Sequence, residues 1–483
     1  MTVKSNSKEH SNTAPSNQQT RSPWQSQAQK SRRARNWTGL RYKRTLLQVL
    51  KGIIPRSSRV LYVGSGRGDI LAGLEPSVGV GIEPEEELTA KSRELHPELD
   101  TRTLPFEEID LVGEFDYVVA ADLLLDCYDV DVLFNVLKRN TAASTRLVVT
   151  NYSQFWRPVL KLLRLFRIAR PRFGNTWFSP ADVRAAFERC GFDVLAERSE
   201  ILFPGRVPFV SSFMNRFVAR LPFFRWFCLH RVFVARPAPK PLEGNPSVTV
   251  LVPARNESGN VPRLMSEIPE MGSFTEVLFV EGNSTDDTWE VLQKAVAERD
   301  SPNVRLIKQP GKGKGDAVRA GFSEARGDIL MILDADLTVP AEMLPRFYDA
   351  ITTGRTEFAN GTRLVYQMDD RAMRFLNLLG NHFFAFGFTY VMGQPIRDTL
   401  CGTKALTRES YQNIAKNRSY FGDFDPFGDF DLLFGAAHLN MKILDVPIRY
   451  REREYGETNI SRFRHGLVLL RMLFVGARKL KFR

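Results

Sequence analysis

The amino-acid sequence predicts an α/β protein with two doubly wound domains. The chain has 483 residues, which is too long for one ordinary domain. Short apolar runs that suit strands buried in parallel sheets alternate with longer segments of helical pattern. Several of these runs end in glycine or in acids. Open α/β sheets bind their ligands in the crevice beyond the carboxyl ends of the strands, so these polar ends are candidate sites.

Positive charge is concentrated near the start of the chain. The formal net charge of +12 favours an acidic partner such as nucleic acid, anionic lipid headgroups or a phosphorylated substrate. Residues 1–38 contain many Lys and Arg against a single acid, Glu9, and few apolar side chains, so we predict a disordered tail. The tail is either attracted to an anionic membrane surface or simply solvated. Nucleic acid is the disfavoured partner because no recognition motif accompanies the tail.

The cellular compartment is predicted from two further features. The tail lacks the apolar segment of a secretory signal. The four cysteines lie far apart and form neither a CxxC pair nor a ligand cluster, which indicates a reducing compartment and no structural zinc. We therefore predict a cytoplasmic protein.

The first domain begins with a predicted strand, Arg59–Val63, that runs into a glycine-rich turn. Gly64, Gly66 and Gly68 in this turn allow a ligand to approach the backbone closely. The dinucleotide-binding fingerprint places its third glycine one residue later, and Asp69 puts a negative charge where a pyrophosphate would sit. A dinucleotide is therefore disfavoured as the ligand.

A second predicted strand, Val78–Ile82, ends in Glu83, at about the spacing where such folds place an acid for ribose hydroxyls. Two further strands are predicted over residues 115–121 and 146–151. This region resembles the class I S-adenosylmethionine-dependent methyltransferases over roughly residues 40–235.

The methyltransferase resemblance implies a Rossmann-like fold and S-adenosylmethionine as a cofactor. Gly64, Gly66 and Gly68 match the cofactor loop of that family, and Glu83 matches its ribose-binding acid. Tyr62 departs from the family, which usually has an acid there. Two readings stay open: an active methyltransferase, or a methyltransferase fold retained as a scaffold.

The second domain shows the same arrangement of strands that end in polar groups. The predicted strand of residues 247–252 leads to Pro253 and Glu257, and the next strand leads to Glu281 and Asp286. We expect Ser284 or Thr285 to cap the helix that follows. A basic, glycine-rich loop over residues 310–315 contains Lys314, but its spacing lacks the Walker signature.

The apolar run Ile329–Leu333 is predicted to be a strand buried within a parallel sheet, and it is followed by Asp334 and Asp336. Two carboxylates at this spacing can bear on one Mg²⁺ or Mn²⁺ ion that shares its other positions with substrate phosphates. The alternative is that both acids cap a turn or helix.

Taken in order, these motifs resemble the family 2 glycosyltransferases, and within them the dolichyl-phosphate mannosyltransferase-like branch. The resemblance implies a GT-A fold that transfers a sugar, with inversion, from a nucleotide-diphosphosugar to a membrane lipid phosphate or a glycan acceptor. The residues that it assigns to the nucleotide-sugar are Pro253, Glu257, Glu281, Asp286, Lys314 and Asp334, and Asp334 and Asp336 are its metal ligands.

The resemblance also favours Asp398 as the acid closest to the reacting centre, with Asp429 or Asp431 as the alternatives. Each of these acids has a plainer interpretation as a helix cap or a structural ion pair. A lipid phosphate acceptor is already an anion and needs no base, whereas a hydroxyl acceptor needs a carboxylate to take its proton.

Three aromatic or apolar segments carry arginine or polar residues at a density that argues against membrane-spanning helices: residues 201–234, 375–392 and 463–483. Residues 201–234 and 463–483 are each expected either to lie in a membrane interface or to pack on their domain, and residues 375–392 are expected to rest on a bilayer and receive a phosphorylated lipid. We thus predict a peripheral membrane protein that is a bifunctional transferase, or alternatively a glycosyltransferase with a binding scaffold. The predicted organisation is a tail, a methyltransferase-like domain, a linker and a glycosyltransferase domain, at residues 1–38, 39–234, 235–246 and 247–483.

Overall fold

The structure is a computed structural model. It describes residues 40–111, 115–124, 129–159, 162, 177–203, 207, 209–221, 223–363, 375–421, 428–451, 453, 455 and 462–482. The predicted tail over residues 1–38 lies outside the described residues.

The described residues form two seven-stranded sheets, and the first has the strand order β3-β2-β1-β4-β5-β7-β6. Strand β7 pairs antiparallel with both of its neighbours, and the other pairings are parallel. Its strands are β1 (Arg59–Val63), β2 (Val78–Ile82), β3 (Asp100–Arg102), β4 (Tyr117–Ala120), β5 (Arg146–Tyr152), β6 (Phe192–Glu200) and β7 (His230–Pro237). Its helices are α1 (Leu40–Lys51), α2 (Asp69–Gly73), α3 (Glu86–Leu95), α4 (Val130–Arg139), α5 (Pro180–Arg189) and α6 (Val210–Arg216).

Both faces of the first sheet are covered by apolar side chains, as expected for a doubly wound domain. On one face, α4 and α5 meet through Phe134 and Phe187, whose stacked rings lie 4.4 Å apart. On the other face, Leu46 and Leu50 of α1 are buried against the sheet. The sheet therefore has a helical layer on each side and opens to ligands only at its edges.

The second sheet has the strand order β10-β9-β8-β11-β13-β12-β14. Its strands are β8 (Val248–Ala254), β9 (Thr275–Glu281), β10 (Val304–Lys308), β11 (Ile329–Ile332), β12 (Phe358–Thr362), β13 (Lys404–Thr407) and β14 (Ile443–Pro447). Its helices are α7 (Val261–Glu267), α8 (Thr288–Arg299), α9 (Lys314–Glu324), α10 (Leu344–Thr352), α11 (Phe375–Met392), α12 (Arg408–Lys416), α13 (Asp429–His438) and α14 (Arg462–Gly476), followed by a π-helical turn, Ala477–Lys481.

Strand β11 differs from the prediction in one respect. It pairs parallel with β8 but antiparallel with β13, so the second sheet is mixed. An apolar run indicates that both faces of a strand are buried. It does not indicate the direction of the neighbouring strand β13, which comes 70 or more residues later in the chain. The burial itself is as predicted, since all four residues of β11 are buried.

Helices α11 and α14 pack on the second domain and on each other. Phe388 of α11 contacts the rings of Phe430 and Phe434 on α13, and a side chain at Gly387 would touch Leu473 of α14. Within the described residues, no helix combines the length and the apolar character needed to cross a membrane.

The two sheets meet through the amino ends of their strands. Arg146 begins β5, and its guanidinium lies 2.5 Å from Glu357, which precedes β12, and donates to the carbonyl of Asn440. Lys442, just before β14, pairs with Asp193 at the start of β6. Both carboxyl edges, where ligands bind in such sheets, therefore lie on the sides turned away from this interface.

Candidate active site

The carboxyl edge of the second sheet gathers charged side chains from segments far apart in the sequence. Strands β8, β9 and β11 run parallel and end at this edge, and the antiparallel strand β13 begins there. The charged side chains at or near this edge are Glu257, Glu281, Asp334, Asp336, Arg363, Asp398 and Lys404.

Asp334 and Lys314 form an ion pair at the centre of this edge, with Oδ1 and Nζ 2.5 Å apart. Lys314 is the first residue of α9, so the helix start carries the basic loop to the acid. A Cβ atom on Gly402 would lie 2.1 Å from Asp334 Oδ2 and 2.3 Å from Lys314 Nζ. Burial raises the pKa of Asp334, but the nearby charges of Lys314, Lys404 and Arg363 outweigh it and hold this pKa below its usual value. Asp334 is therefore ionised and seated against backbone that only glycine permits.

Asp336 is held by two different partners. Its Oδ1 accepts hydrogen bonds from the backbone N–H and the hydroxyl of Thr338, and its Oδ2 lies 2.6 Å from the guanidinium of Arg453. These two hydrogen bonds to Thr338 cap a turn, which is the alternative to metal binding that the sequence analysis gave for Asp336. Arg453 adds a contact that spans 117 residues of sequence and lies 3.7 Å from Glu257.

Glu257 and Glu281 are both buried at the edge of the sheet. Burial raises the pKa of Glu257, and the negative charges of Asp336 and Asp334 add to this against the opposing effects of Asn260 and Arg453. Glu281 accepts a hydrogen bond from the backbone N–H of Ser284 at 2.5 Å. These two acids lie at the ends of neighbouring strands, as the sequence predicted.

Asp286 holds the first turn of α8. Its Oδ1 accepts from both the N–H and the hydroxyl of Thr288, so the expectation that Ser284 or Thr285 caps this helix is wrong. Those two residues instead bind Asn256 in the turn after β8, through Ser284 Oγ and the Thr285 N–H. The local pattern of small polar residues did not reveal this longer-range partner.

Asp398 is 2% exposed and bound on both oxygens by Arg363. The Arg363 Nε and terminal nitrogen lie 2.6 Å and 2.9 Å from Oδ2 and Oδ1, and the Leu400 N–H also donates to Oδ1. Burial raises the pKa of Asp398, but Arg363 and the backbone donors hold it below its usual value. The carboxylate is thus ionised, and its lone pairs are directed at Arg363.

The two alternative acids lie on α13. Asp429 begins this helix, but its side chain lies outside the described residues; the helix start is adjacent to Lys314, because a Cβ on Gly315 would lie 2.9 Å from the Gly428 Cα. Asp431 is buried and lies 2.7 Å from Arg418 Nε. Asp431 therefore has the ion-pair partner that its plainer interpretation requires.

Comparisons with known proteins show the family to which the second domain belongs. The sequence model described as "Glycosyl transferase family 2" matches residues 249–414. "Glycosyltransferase AglJ" of Haloferax volcanii is 30% identical over 230 residues, which cover 47% of this chain and 71% of that protein. The chain belongs to glycosyl transferase family 2.

Two other relatives have names that refer to dolichol phosphate or dolichyl phosphate. "Dolichol-phosphate mannosyltransferase" of Pyrococcus furiosus is 37% identical over 218 residues, 44% of this chain and 59% of that protein. "Dolichyl-phosphate hexose transferase" of Haloferax volcanii is 30% identical over 225 residues, 46% of this chain and 90% of that protein. Among solved structures, glucosyl-3-phosphoglycerate synthase from Mycobacterium tuberculosis is 17% identical. The match covers 49% of this chain and 80% of that protein, with a TM-score of 0.37.

Two arginines of the family 2 domain were missed by the sequence analysis as site residues. Arg363 follows β12, binds Asp398, and lowers the pKa of Asp334 through its charge. Arg453 binds Asp336 from a segment late in the chain. Neither arginine stands out in the local sequence, because Arg363 follows an ordinary strand and Arg453 meets its partner only through folding.

The donor set at Asp334 and Asp336 fits a divalent cation that is completed by substrate. In the described parts of the chain, no group of three or more His, Cys, Asp or Glu side chains could hold a metal ion. Mg²⁺ is commonly bound by one or two carboxylates together with phosphate oxygens and water. Two hard carboxylates flanked by Lys314 and Arg453 match this pattern rather than an all-protein metal site.

The carboxyl edge of the first sheet has a glycine turn with an acid behind it. Gly64, Gly66 and Gly68 all have positive φ, and a Cβ at Gly66 would have nothing within 4 Å. The Gly66 N–H donates to Glu83 Oε2 at 2.9 Å, and Glu83 is 2% exposed. The turn thus leaves open space directly over backbone that is tied to a buried carboxylate.

Next to this turn lies a cluster of buried polar side chains that the sequence did not reveal. Asp122 accepts hydrogen bonds from the hydroxyls of Tyr42, at 2.5 Å, and Thr150, at 3.0 Å. His230 is 1% exposed, and its Nε2 lies 3.1 Å from the Tyr42 hydroxyl. These residues come from α1, the ends of β4 and β5 and the start of β7, so only folding brings them together.

Proposed function

We propose that the family 2 domain transfers a sugar, with inversion, from a nucleotide-diphosphosugar to a membrane lipid phosphate. The observation that carries the choice of acceptor is the Asp398–Arg363 pair. A hydroxyl acceptor needs a base, and the acid favoured for that task has both oxygens bound by a guanidinium. A phosphate acceptor is already an anion, so the pair can stay intact throughout the reaction. The names of the relatives, which refer to dolichyl phosphate, support the same choice.

The donor is proposed to lie across the ends of β8, β9 and β11. Pro253, Glu257, Glu281 and Asp286 would surround the nucleoside, and Lys314 would lie at the diphosphate. Asp334 and Asp336 would hold Mg²⁺ or Mn²⁺, which supplies positive charge to the leaving diphosphate. Lys314, Arg363 and Lys404 supply further positive charge from this chain, because all three lower the pKa of Asp334 and hence lie near it.

Asp398 is proposed to act as a positioning residue for Arg363. A guanidinium that is bound bidentately has a fixed orientation, and its remaining N–H groups can then meet an anionic acceptor or leaving group. Asp429 remains the alternative as a residue that touches the substrate, because its helix starts beside Lys314.

The acceptor is tested by incubating the purified protein with a panel of nucleotide-diphosphosugars and Mg²⁺ or Mn²⁺, and with either a polyprenyl phosphate or the matching polyprenol. We expect a glycosylated product from the phosphate and none from the alcohol. Transfer to the alcohol or to a glycan alone would overturn the proposed acceptor while leaving the sugar transfer itself in place.

We further propose that the first domain binds S-adenosylmethionine and transfers its methyl group. The support is the open space over Gly66, the buried Glu83 behind it and a strand order in which only β7 is reversed. The alternative, a scaffold that binds a partner or acceptor, differs in one measurable property, because it has no need of the cofactor.

Calorimetric titration with S-adenosylmethionine separates these two functions of the first domain. We expect saturable binding that Gly66→Arg abolishes by filling the space over the turn. Gly244→Arg is the matched control, since Gly244 also has positive φ and open space but lies outside both sheets. If the unaltered protein gives no binding heat, the scaffold function replaces methyl transfer.

A further inference from the structure

Exposed aromatic side chains are concentrated in one segment of the first domain, around α6 and the short turns after it. Phe209 is 90% exposed, Phe213 58%, Phe223 69% and Trp226 62%. Single exposed apolar residues are common on proteins, but a cluster of large aromatic ones usually marks a surface that another molecule covers.

Helices α11 and α14 of the second domain expose apolar side chains in the same way. Phe386 on α11 is 74% exposed, and on α14 Leu467 is 70% and Phe474 is 68% exposed. On the inner side of α14, Leu469 and Met472 are buried in the core. Each helix is thus packed on the domain through one side while its other side keeps an apolar stripe in solvent.

Contacts between the two domains join these stripes. The Phe217 ring stacks on Phe482, which follows α14, at 5.8 Å, and the Arg216 guanidinium donates to the Phe482 carbonyl at 3.1 Å. The Tyr390 hydroxyl at the end of α11 donates to the Arg220 carbonyl. The aromatic face defined here consists of Phe209, Phe213, Phe217, Phe223, Trp226, Phe386, Leu467 and Phe474.

In sequence, the two segments that supply most of the aromatic face carry charge of one sign. Residues 209–231 and 462–483 contain no Asp or Glu, and they contain Arg216, Arg220, Arg225, Arg231, Arg462, Arg464, Arg471, Arg478, Lys479, Lys481 and Arg483. Burial is the main cause that lowers the pKa of Lys481 to about 8, with Arg198 and Arg220 contributing and Glu200 opposing. Arg220 and Arg231 pair with Glu200 and Glu197 of β6, and the other basic residues of the two segments supply the surplus of positive charge.

We propose that the aromatic face docks on an anionic lipid bilayer. Residues 209–231 of the first domain form part of this membrane-binding surface. Aromatic rings settle at the level of the headgroups, and arginines beside them reach lipid phosphates with their guanidinium groups while their stems stay in apolar surroundings. The absence of acids from both segments suits a surface of negative charge better than a protein partner of mixed charge. The docking is independent of the proposed sugar transfer, because it needs neither donor nor acceptor.

The test is flotation of the full chain with phosphatidylcholine vesicles that contain phosphatidylglycerol, in the absence of any nucleotide-sugar. We expect binding that weakens with added salt and that falls about tenfold or more in the triple variant Phe213→Ser, Phe223→Ser, Trp226→Ser. These side chains are exposed, so their loss leaves the core intact. Leu95→Ser with Val132→Ser is the matched control, because both residues are exposed on the first domain away from this face.

A second variant, Leu467→Ser with Phe474→Ser, tests whether both domains share the surface. We expect a loss of binding comparable to that of the triple variant. Failure of the unaltered chain to float with anionic vesicles overturns the proposal. Unchanged flotation of the triple variant overturns the part assigned to the first domain, whatever the second variant does.

Discussion

The carboxyl edges of the two sheets have similar backbones and very different charge. At the second edge, Asp334, Asp336 and Asp398 each meet a cationic side chain. At the first edge, Glu83 accepts from a backbone N–H, and Asp122 accepts from two hydroxyls. A diphosphate leaving group requires cations, and the second edge directs Lys314, Arg363 and Arg453 towards carboxylates at its strand ends. The two edges therefore have the same type of backbone and differ in the side chains that the rest of the chain places there.

Asp334→Asn breaks the charged edge at its centre. We expect sugar transfer to fall about a thousandfold, because the proposed metal ligand and the partner of Lys314 are lost together. The measurement is the initial rate with polyprenyl phosphate. Asp328→Asn, which removes an acid from the opposite end of β11, should leave that rate within a factor of a few, and an equal loss there would mean that Asp334 is only structural.

Asp398→Asn tests the buried pair. We expect a loss of about 3 kcal/mol in the free energy of unfolding, because Arg363 is left in a buried position without a counter-charge. Urea unfolding measures this. The double variant Arg363→Met, Asp398→Leu should be less destabilised than the single one. An unchanged free energy of unfolding in Asp398→Asn would show that the Arg363–Asp398 pair contributes little to stability.

Gly402→Ala tests whether sugar transfer depends on the close packing of backbone against the ion pair at the second edge. The new Cβ would overlap both Asp334 Oδ2 and Lys314 Nζ, so we expect their displacement to lower the rate about a hundredfold. Gly380→Ala on α11 is the control, since a Cβ there meets nothing within 4 Å. Full activity in Gly402→Ala would mean that the ion pair tolerates displacement.

The smallest effect is expected at the first edge, from a change of pH. Burial lowers the pKa of His230, and the charge of Asp122 opposes this only in part. The unfolded chain therefore binds a proton more readily than the folded one below about pH 6.5, and stability should fall there by at most about 1.4 kcal/mol per pH unit from this group. Unfolding followed across this range should show a shallower dependence in His230→Gln; an identical slope would assign the effect elsewhere, with Tyr42, Asp122 and Tyr152 as the facing groups.

The strand ends could be predicted from sequence because an apolar run followed by Gly, Asp or Glu is a local signal. Glu83, Glu257 and Asp334 were found in this way. Arg363 and Arg453 could not be predicted as site residues in this way, because the acids that they bind lie 35 and 117 residues away in the sequence. The same limit explains the reversed β13 and the cluster of Tyr42 with Asp122, which only the folded topology brings together.

The docking of the two sheets through their amino ends constrains how a molecule can pass between them. Arg146 with Glu357 and Lys442 with Asp193 join the two domains at these amino ends, so both carboxyl edges face away from the described interface. If both proposed activities operate, a compound altered at one edge would have to dissociate before the other edge binds it. Joining the two domains in one chain would then give the two proposed activities a fixed ratio and a common location, without direct transfer of an intermediate.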